Sequence, residues 1–221
     1  PSIAEDWSVS KDGLTYTYKI RKGVKWYDAD GEEHGEVTAH DFVTGLKHAA
    51  DKKSETLPLV QGSVKGLKDY VDGKITDFSQ VGVKAVDDYT LEYTLNQPET
   101  FWNSKTTNGV LMPINGEFLE SKGDNFGQPG DVKSILYNGP FLLKSITSKS
   151  EITFEKNEEY WDKDNVHINK IKLSYFDGSD QDSLARAFSD GSYTQARLFP
   201  ASSNFASVEE KYKDNIYNTQ P

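Results

Sequence analysis

The chain has 221 residues, of which 35% are hydrophobic and 12% aromatic; 35 acidic side chains oppose 25 basic ones, the formal charge is -10, and cysteine is absent. So aromatic a chain is not disordered. Its acidic surplus repels phosphate backbones and argues against non-specific nucleic-acid binding, and the lack of cysteine removes disulfides, thiolate nucleophiles and cysteine zinc sites.

The chain opens PSIAEDW, with neither Met nor a signal-like start, and closes on NTQP after a charged, helix-like segment. Both ends read as cut from something longer, so missing targeting signals carry no information. No apolar run approaches the about 20 residues of a membrane-spanning helix. Residues 10–31, SKDGLTYTYKIRKGVKWYDADG, set Lys11, Lys19, Arg21, Lys22 and Lys25 among Tyr16, Tyr18, Trp26 and Tyr27, a pattern shared with nucleic-acid-binding faces. Its spacing favours scaffold instead. Leu14, Tyr16, Tyr18 and Ile20 alternate with Thr15, Thr17, Lys19 and Arg21, which predicts a half-buried strand. Turns at Asp12-Gly13 and Lys22-Gly23 and a strand beginning at Val24 and Trp26 predict a hairpin with one wet and one packed face.

Thr38, with Asp41 three residues on, has the form of a helix N-cap, and Phe42, Val43, Leu46, Ala49 and Ala50 then fall on one helical face. A shorter helix is predicted over 64–71, closed by Asp72-Gly73. Val83, Ala85 and Val86, the Asp87-Asp88 turn, and Leu91, Tyr93 and Leu95 predict a second hairpin. A helical turn can begin at 100–102 and a short helix over 117–122, followed by a loop over 123–131. A third hairpin is expected over 141–147 and 151–156, and a further strand over 168–175. Leu184, Ala187 and Phe188 have helical spacing after Asp180 and Asp182, with Asp190-Gly191 closing that helix. The order of elements predicts a mixed α/β (α+β) chain with a mixed sheet, with an internal boundary near Pro113.

Motifs for catalysis are missing. His40 and His48 are eight residues apart, not at the i, i+4 spacing of a two-histidine zinc motif; with His34 and His167 they read as surface or capping residues. The acidic runs at 28–33 and 162–165 lack calcium-loop spacing and read as solvated turns. There is no P-loop, no G-x-G-x-x-G after a strand and no G-x-S-x-G elbow. Catalytic residues, metal ligands and cofactors are therefore predicted as none. Residues 191–199 read either as an ordinary strand or as one starting at the ligand-binding edge of an open sheet.

Several stretches then fit one pattern in order: AEDW at 4–7, SKDGLTYTY at 10–18, IRKGVKW at 20–26 and VTAHDFV at 37–43, then GVKAVDDYTLE at 82–92, NGPF at 138–141, FEKN at 154–157, YWD at 160–162 and INKI at 168–171. Together they resemble the family 5 extracellular solute-binding proteins, the oligopeptide and dipeptide receptors of ABC importers, and in style most resemble the streptococcal lipoprotein receptors. The resemblance implies a type II periplasmic-binding-protein-like fold, of which this chain holds an extra domain (1–113) and part of the first lobe (114–221). It implies an oligopeptide ligand held largely through its backbone, a membrane ABC permease as partner, no nucleic acid, and a place on the extracellular face of the membrane through a lipid anchor outside this chain. Receptors for nickel or a sugar, or a surface adhesin binding host proteins, are the alternatives. Position in the family pattern points to Gln181, Arg197, Leu198 and Phe199 on the cleft edge, with Thr106 and Thr107 from the extra domain. One departure touches this region: the family usually shows Glu-Ile-Asp after the glycine that closes the late helix, whereas Gly191 is followed here by Ser192-Tyr193-Thr194.

Overall fold

In the computed structural model, which describes residues 2–180 and 182–217, the chain begins with strands β1 (Ala4–Val9) and β2 (Thr15–Ile20). Between them Gly13 takes a φ of 73°, a left-handed conformation that glycine adopts without Cβ cost, and the Asp12 carboxylate accepts the Leu14 N–H at 3.1 Å. Alternation in β2 buries Tyr16, Tyr18 and Ile20 and leaves Lys19 in solvent. Gly23 (φ 79°) then turns the chain into β3 (Lys25–Tyr27), which pairs with β4 (Glu33–Glu36).

Helix α1 (Ala39–Asp51) is followed by the short helices α2 (Pro58–Gln61) and α3 (Leu67–Val71). Helix α3 starts later than its spacing suggests because Gly66 takes a φ of 72° and Val64 makes a bridge to Leu95. The hairpin β5 (Val83–Asp87) and β6 (Thr90–Thr94) precedes α4 (Trp102–Lys105) and α5 (Gly116–Lys122). Strands β7 (Phe141–Thr147), β8 (Glu151–Lys156) and β9 (Lys170–Ser174) form a three-stranded sheet in that order. Helices α6 (Asp182–Ser189) and α7 (Phe205–Tyr212) complete the chain. The architecture is mixed α/β, as its element order predicts.

The chain divides into two compact units, Pro1–Leu173 and Ser174–Pro221. In the first, the main sheet has the order β1-β2-β6-β5, with every neighbouring pair antiparallel. One face of α1 covers it, with Leu46 and Ala50 buried and Phe42, Val43 and Ala49 packed alongside. Gly45 allows α1 to lie close to the next segment, since a Cβ there would sit 2.3 Å from the Met112 carbonyl oxygen. Tyr93 and the fully buried Trp102 meet in this core with ring centroids 5.4 Å apart. A second, smaller cluster joins Val24, Trp26, Val37 and Leu136.

A buried carboxylate links the two clusters. Asp41 Oδ2 accepts the Thr38 N–H at 2.9 Å and the Trp26 indole N–H at 3.0 Å. Its main-chain carbonyl accepts the Ile114 N–H at 2.9 Å, and the first N–H of α1, from Ala39, reaches the Asp88 carbonyl at 2.7 Å. Side chain and backbone together satisfy donors that the start of a helix leaves open. Burial raises the Asp41 carboxyl above the usual aspartate range, opposed by the donors from Thr38 and Trp26.

Two expectations need correction. No hairpin joins β2 to β3: both edges of β2 are taken, by β1 and by β6, so β3 pairs with β4 and, through Tyr27, with Tyr137. The basic–aromatic stretch still sorts as its spacing suggests, with Trp26 and Tyr27 buried and Lys19 and Lys25 paired in solvent with Glu5 and Glu33. Ile114, beside the boundary expected near Pro113, bonds to Asp41. Residues 191–199 form no strand; an extended segment becomes a strand only beside another, and the second unit has none among its described residues beyond the last residue of β9.

Asp41 yields a prediction with a worked sign. Because its carboxyl pKa is raised on folding, the native state holds the proton more tightly than the unfolded chain, so its stability contribution grows as pH falls through the raised range and levels off below the ordinary value of 3.8. Urea denaturation should show wild type gaining on Asp41→Asn between neutral pH and pH 4. At pH 7, Asp41→Ala should lose about 2 kcal/mol, since it orphans the Trp26 N–H and removes the cap.

Candidate functional site

In the second unit, Asp180 precedes α6 and its Oδ1 accepts the N–H groups of Asp182 (3.0 Å) and Ser183 (3.2 Å). The Arg186 guanidinium pairs with the same carboxylate and holds it below the usual aspartate range. Leu184 and Ala185 are buried, and Phe188 shares their helical face. Gly191 (φ 81°) ends the helix, and the Tyr193 N–H bonds back to the Ala187 carbonyl at 2.9 Å.

Helix α7 lies beside α6 and runs in the same direction. Ser203 and Asn204, just before α7, bond to Asp182 at the start of α6. Tyr212, at the end of α7, donates to the Ser189 hydroxyl at 2.9 Å, and its ring meets Phe188 edge-on with centroids 5.2 Å apart. Residues 192–199 therefore carry the chain back from the end of one helix to the start of the next.

That returning segment borders a cavity of about 790 Å³. Phe188, Leu198, Phe205, Tyr212 and Ile216 supply apolar wall, and Arg197 and Glu209 supply opposite charges. Among the described residues, no backbone N–H or C=O from Thr194 to Leu198 has a backbone partner. Arg197 is exposed and forms no ion pair among the described residues; its guanidinium lies 5.3 Å from the Phe199 ring centroid. The site thus combines a row of main-chain groups unpaired among the described residues, a cation and a carboxylate, and an aromatic cleft of the size of a small-ligand pocket. A second cavity, of about 250 Å³ in the first unit, is lined by Trp26, Ile114, Phe118, Phe126 and Leu136 and brings together no charged group.

Of the residues predicted from sequence, Arg197 and Leu198 line the larger cavity, Phe199 adjoins it through Arg197, and Gln181 lies outside the described residues. Thr106 and Thr107 belong to the first unit, just beyond α4, and donate their hydroxyls to the carbonyls of Asn103 and Ser104 at 2.8 Å. With those hydrogens engaged, either oxygen is left to accept from a ligand. Sequence reasoning missed Phe205 and Tyr212 as cavity residues and treated Phe188 as helix core; an aromatic on each of two late amphipathic helices was the available signal.

A family model described as bacterial extracellular solute-binding proteins, family 5 middle, matches residues 1–221. The oligopeptide-binding protein AmiA of Streptococcus pneumoniae is 67% identical over 220 residues, and SarA of Streptococcus gordonii is 66% identical over 219; these alignments take in 100% and 99% of this chain and 33% of each relative. The chain thus spans about a third of the length of the curated relatives it matches. Among solved structures, Listeria monocytogenes OppA bound to peptide superposes with a TM-score of 0.80 at 32% identity, covering 97% of this chain and 40% of that one. The pheromone receptor PrgZ, solved for its mode of peptide binding, gives 0.80 at 28% identity with the same coverage.

The segment that carries Thr106 and Thr107 is held by a shielded ion pair. Lys105 Nζ reaches Glu99 Oε2 at 2.7 Å and the Ser63 hydroxyl at 2.6 Å, while the Tyr16 hydroxyl donates to the Glu99 carbonyl at 2.8 Å. Glu99 is only 7% exposed and Lys105 25%. Lys105→Met leaves the carboxylate buried without its cation. Because solvent reaches the lysine, the expected loss is about 2 kcal/mol rather than the ~3–5 of a fully buried pair. Urea denaturation measures it against Lys47→Met, whose exposed pair with Asp51 should contribute under about 0.5 kcal/mol.

Proposed function

Because the chain belongs to the family 5 bacterial extracellular solute-binding proteins, we propose that it is part of a receptor that binds oligopeptides at the cell surface and delivers them to an ABC importer. The observation that carries this reading is the unpaired backbone from Thr194 to Leu198 at the rim of the larger cavity. A peptide laid along such a segment gains main-chain hydrogen bonds whatever its sequence, and water can fill the space around side chains that fit loosely. The relatives' names support the ligand class, since AmiA and SarA are oligopeptide-binding proteins. Arg197, Leu198 and Phe199 contact the peptide from this segment. The receptor binds and releases peptide intact. It works on the outer face of the membrane, tethered by a lipid anchor beyond these residues, with the importer's membrane permease as its partner.

Calorimetry of the complete gene product against a mixed oligopeptide library tests this, with chromatography of the recovered ligand. Saturable binding and recovery of uncleaved peptide are expected. Binding of nickel or a sugar with no response to peptide would overturn the assignment, as would cleavage of the bound peptide.

A further inference from the structure

Strand β1 ends the main sheet, and nothing among the described residues pairs with its outer edge. The Ser10 N–H donates to the Thr15 carbonyl at 2.9 Å. Antiparallel ladders alternate, so the main-chain groups of Ser8 also turn toward β2, while those of Trp7 and Val9 turn outward. The other edge of β2 shows the complementary set: the Ile20 N–H reaches the Tyr89 carbonyl and the Leu95 N–H the Leu14 carbonyl, both at 2.8 Å. Trp7 and Val9 stand opposite Tyr18 and Tyr16, so their side chains share the face on which those tyrosines are buried. Yet Trp7 is 52% exposed and Val9 45%. Trp7 is held in place: its ring stacks on Tyr16 with centroids 6.1 Å apart, and the Tyr16 hydroxyl is tied to the Glu99 carbonyl. Proteins usually block an open sheet edge with a lysine, a proline or a bulge. Here the bulge lies between Ala4 and Asp6, before the exposed pair, and the local cap is the Asp6 carboxylate, which accepts the Trp7 N–H at 2.8 Å.

We propose that this edge is a self-association surface: two copies of the chain pair β1 with β1, antiparallel about a two-fold axis at Ser8, and so join their four-stranded sheets into one. The sequence AEDWSVSK at 4–11 selects that register. With Ser8 opposite Ser8, Trp7 of each copy meets Val9 of the other, their outward main-chain groups bond to each other, and the two apolar pairs form one strip. The acidic start of each strand, Glu5 and Asp6, comes beside the Lys11 that ends the other. An axis at Trp7 would instead set Val9 against Glu5, and one at Val9 would set Trp7 against Lys11. Pairing displaces the exposed Asp6 carboxylate from the Trp7 N–H and leaves it to meet Lys11. The seam is short, well below the about 1,200 Å² of a lasting complex, so the dimer is weak and reversible. Two copies of charge -10 repel each other, but physiological salt screens that repulsion beyond about 8 Å, whereas the charges at the seam are complementary.

Sedimentation equilibrium of the complete gene product at physiological salt, from micromolar to millimolar concentration, tests this. The weight-average mass should climb from that of the monomer toward twice that value. Val9→Pro removes an outward N–H that β2 does not use and should weaken association by about tenfold or more. Trp7→Ser, which strips the apolar strip without touching the backbone, should do the same and covers the case in which the proline variant fails to fold. Asp6→Lys alone and Lys11→Asp alone should each weaken association several-fold by setting like charges together, and the double variant, which exchanges the two, should restore it. That rescue requires β1 to pair antiparallel with itself. A complete gene product that stays monomeric to millimolar concentration would overturn the inference, including the case in which another part of the polypeptide covers β1. So would a dimer indifferent to both Val9→Pro and Trp7→Ser, or a charge exchange that restores nothing.

Discussion

Backbone N–H and C=O groups removed from water must find partners, and this single requirement organises the chain. In the first unit β2 is paired on both edges, β3 turns to β4 and Tyr137, and the opening N–H groups of α1 go to Asp41 and Asp88. Where backbone groups ran short, a buried carboxylate was recruited despite its desolvation, and it ties a helix start, a tryptophan and the Ile114 segment to one residue. The row from Thr194 to Leu198 is unpaired among the described residues and lies beside a cavity. A polar row that the fold leaves in water remains available to a ligand that brings its own backbone.

The division of labour follows from that contrast. Main-chain groups carry no information about side-chain identity, so recognition through them admits many peptides. Discrimination requires side-chain chemistry, and the larger cavity presents aromatic rings together with Arg197 and Glu209.

Much of the fold was legible in the sequence because it is written in local patterns. The alternation of Tyr16, Tyr18 and Ile20 gave β2 its buried face; Thr38 and Asp41 marked the start of α1; Ser148-Lys149-Ser150 joined two strands whose bounds agree with the prediction. What failed was non-local. Nothing within residues 14–26 says that β1 and β6 already occupy both edges of β2, so the hairpin with β3 was a reasonable local inference with the wrong partner. A strand over 191–199 failed for the complementary reason, since a strand needs a neighbour that its own residues do not encode. The larger cavity was half legible: the family pattern pointed to Arg197 and Leu198, which line it, whereas Phe205 and Tyr212 depend on α7 lying beside α6.

The central claim is that the open backbone from Thr194 to Leu198 is where the peptide is read. Hydrogen–deuterium exchange on the complete gene product, with and without saturating oligopeptide, addresses it residue by residue. Amides in this segment should exchange rapidly in the free protein and become strongly protected on binding, while those of β2, already paired on both edges, should change little. Saturating peptide that leaves exchange from Thr194 to Leu198 unaltered would contradict the account.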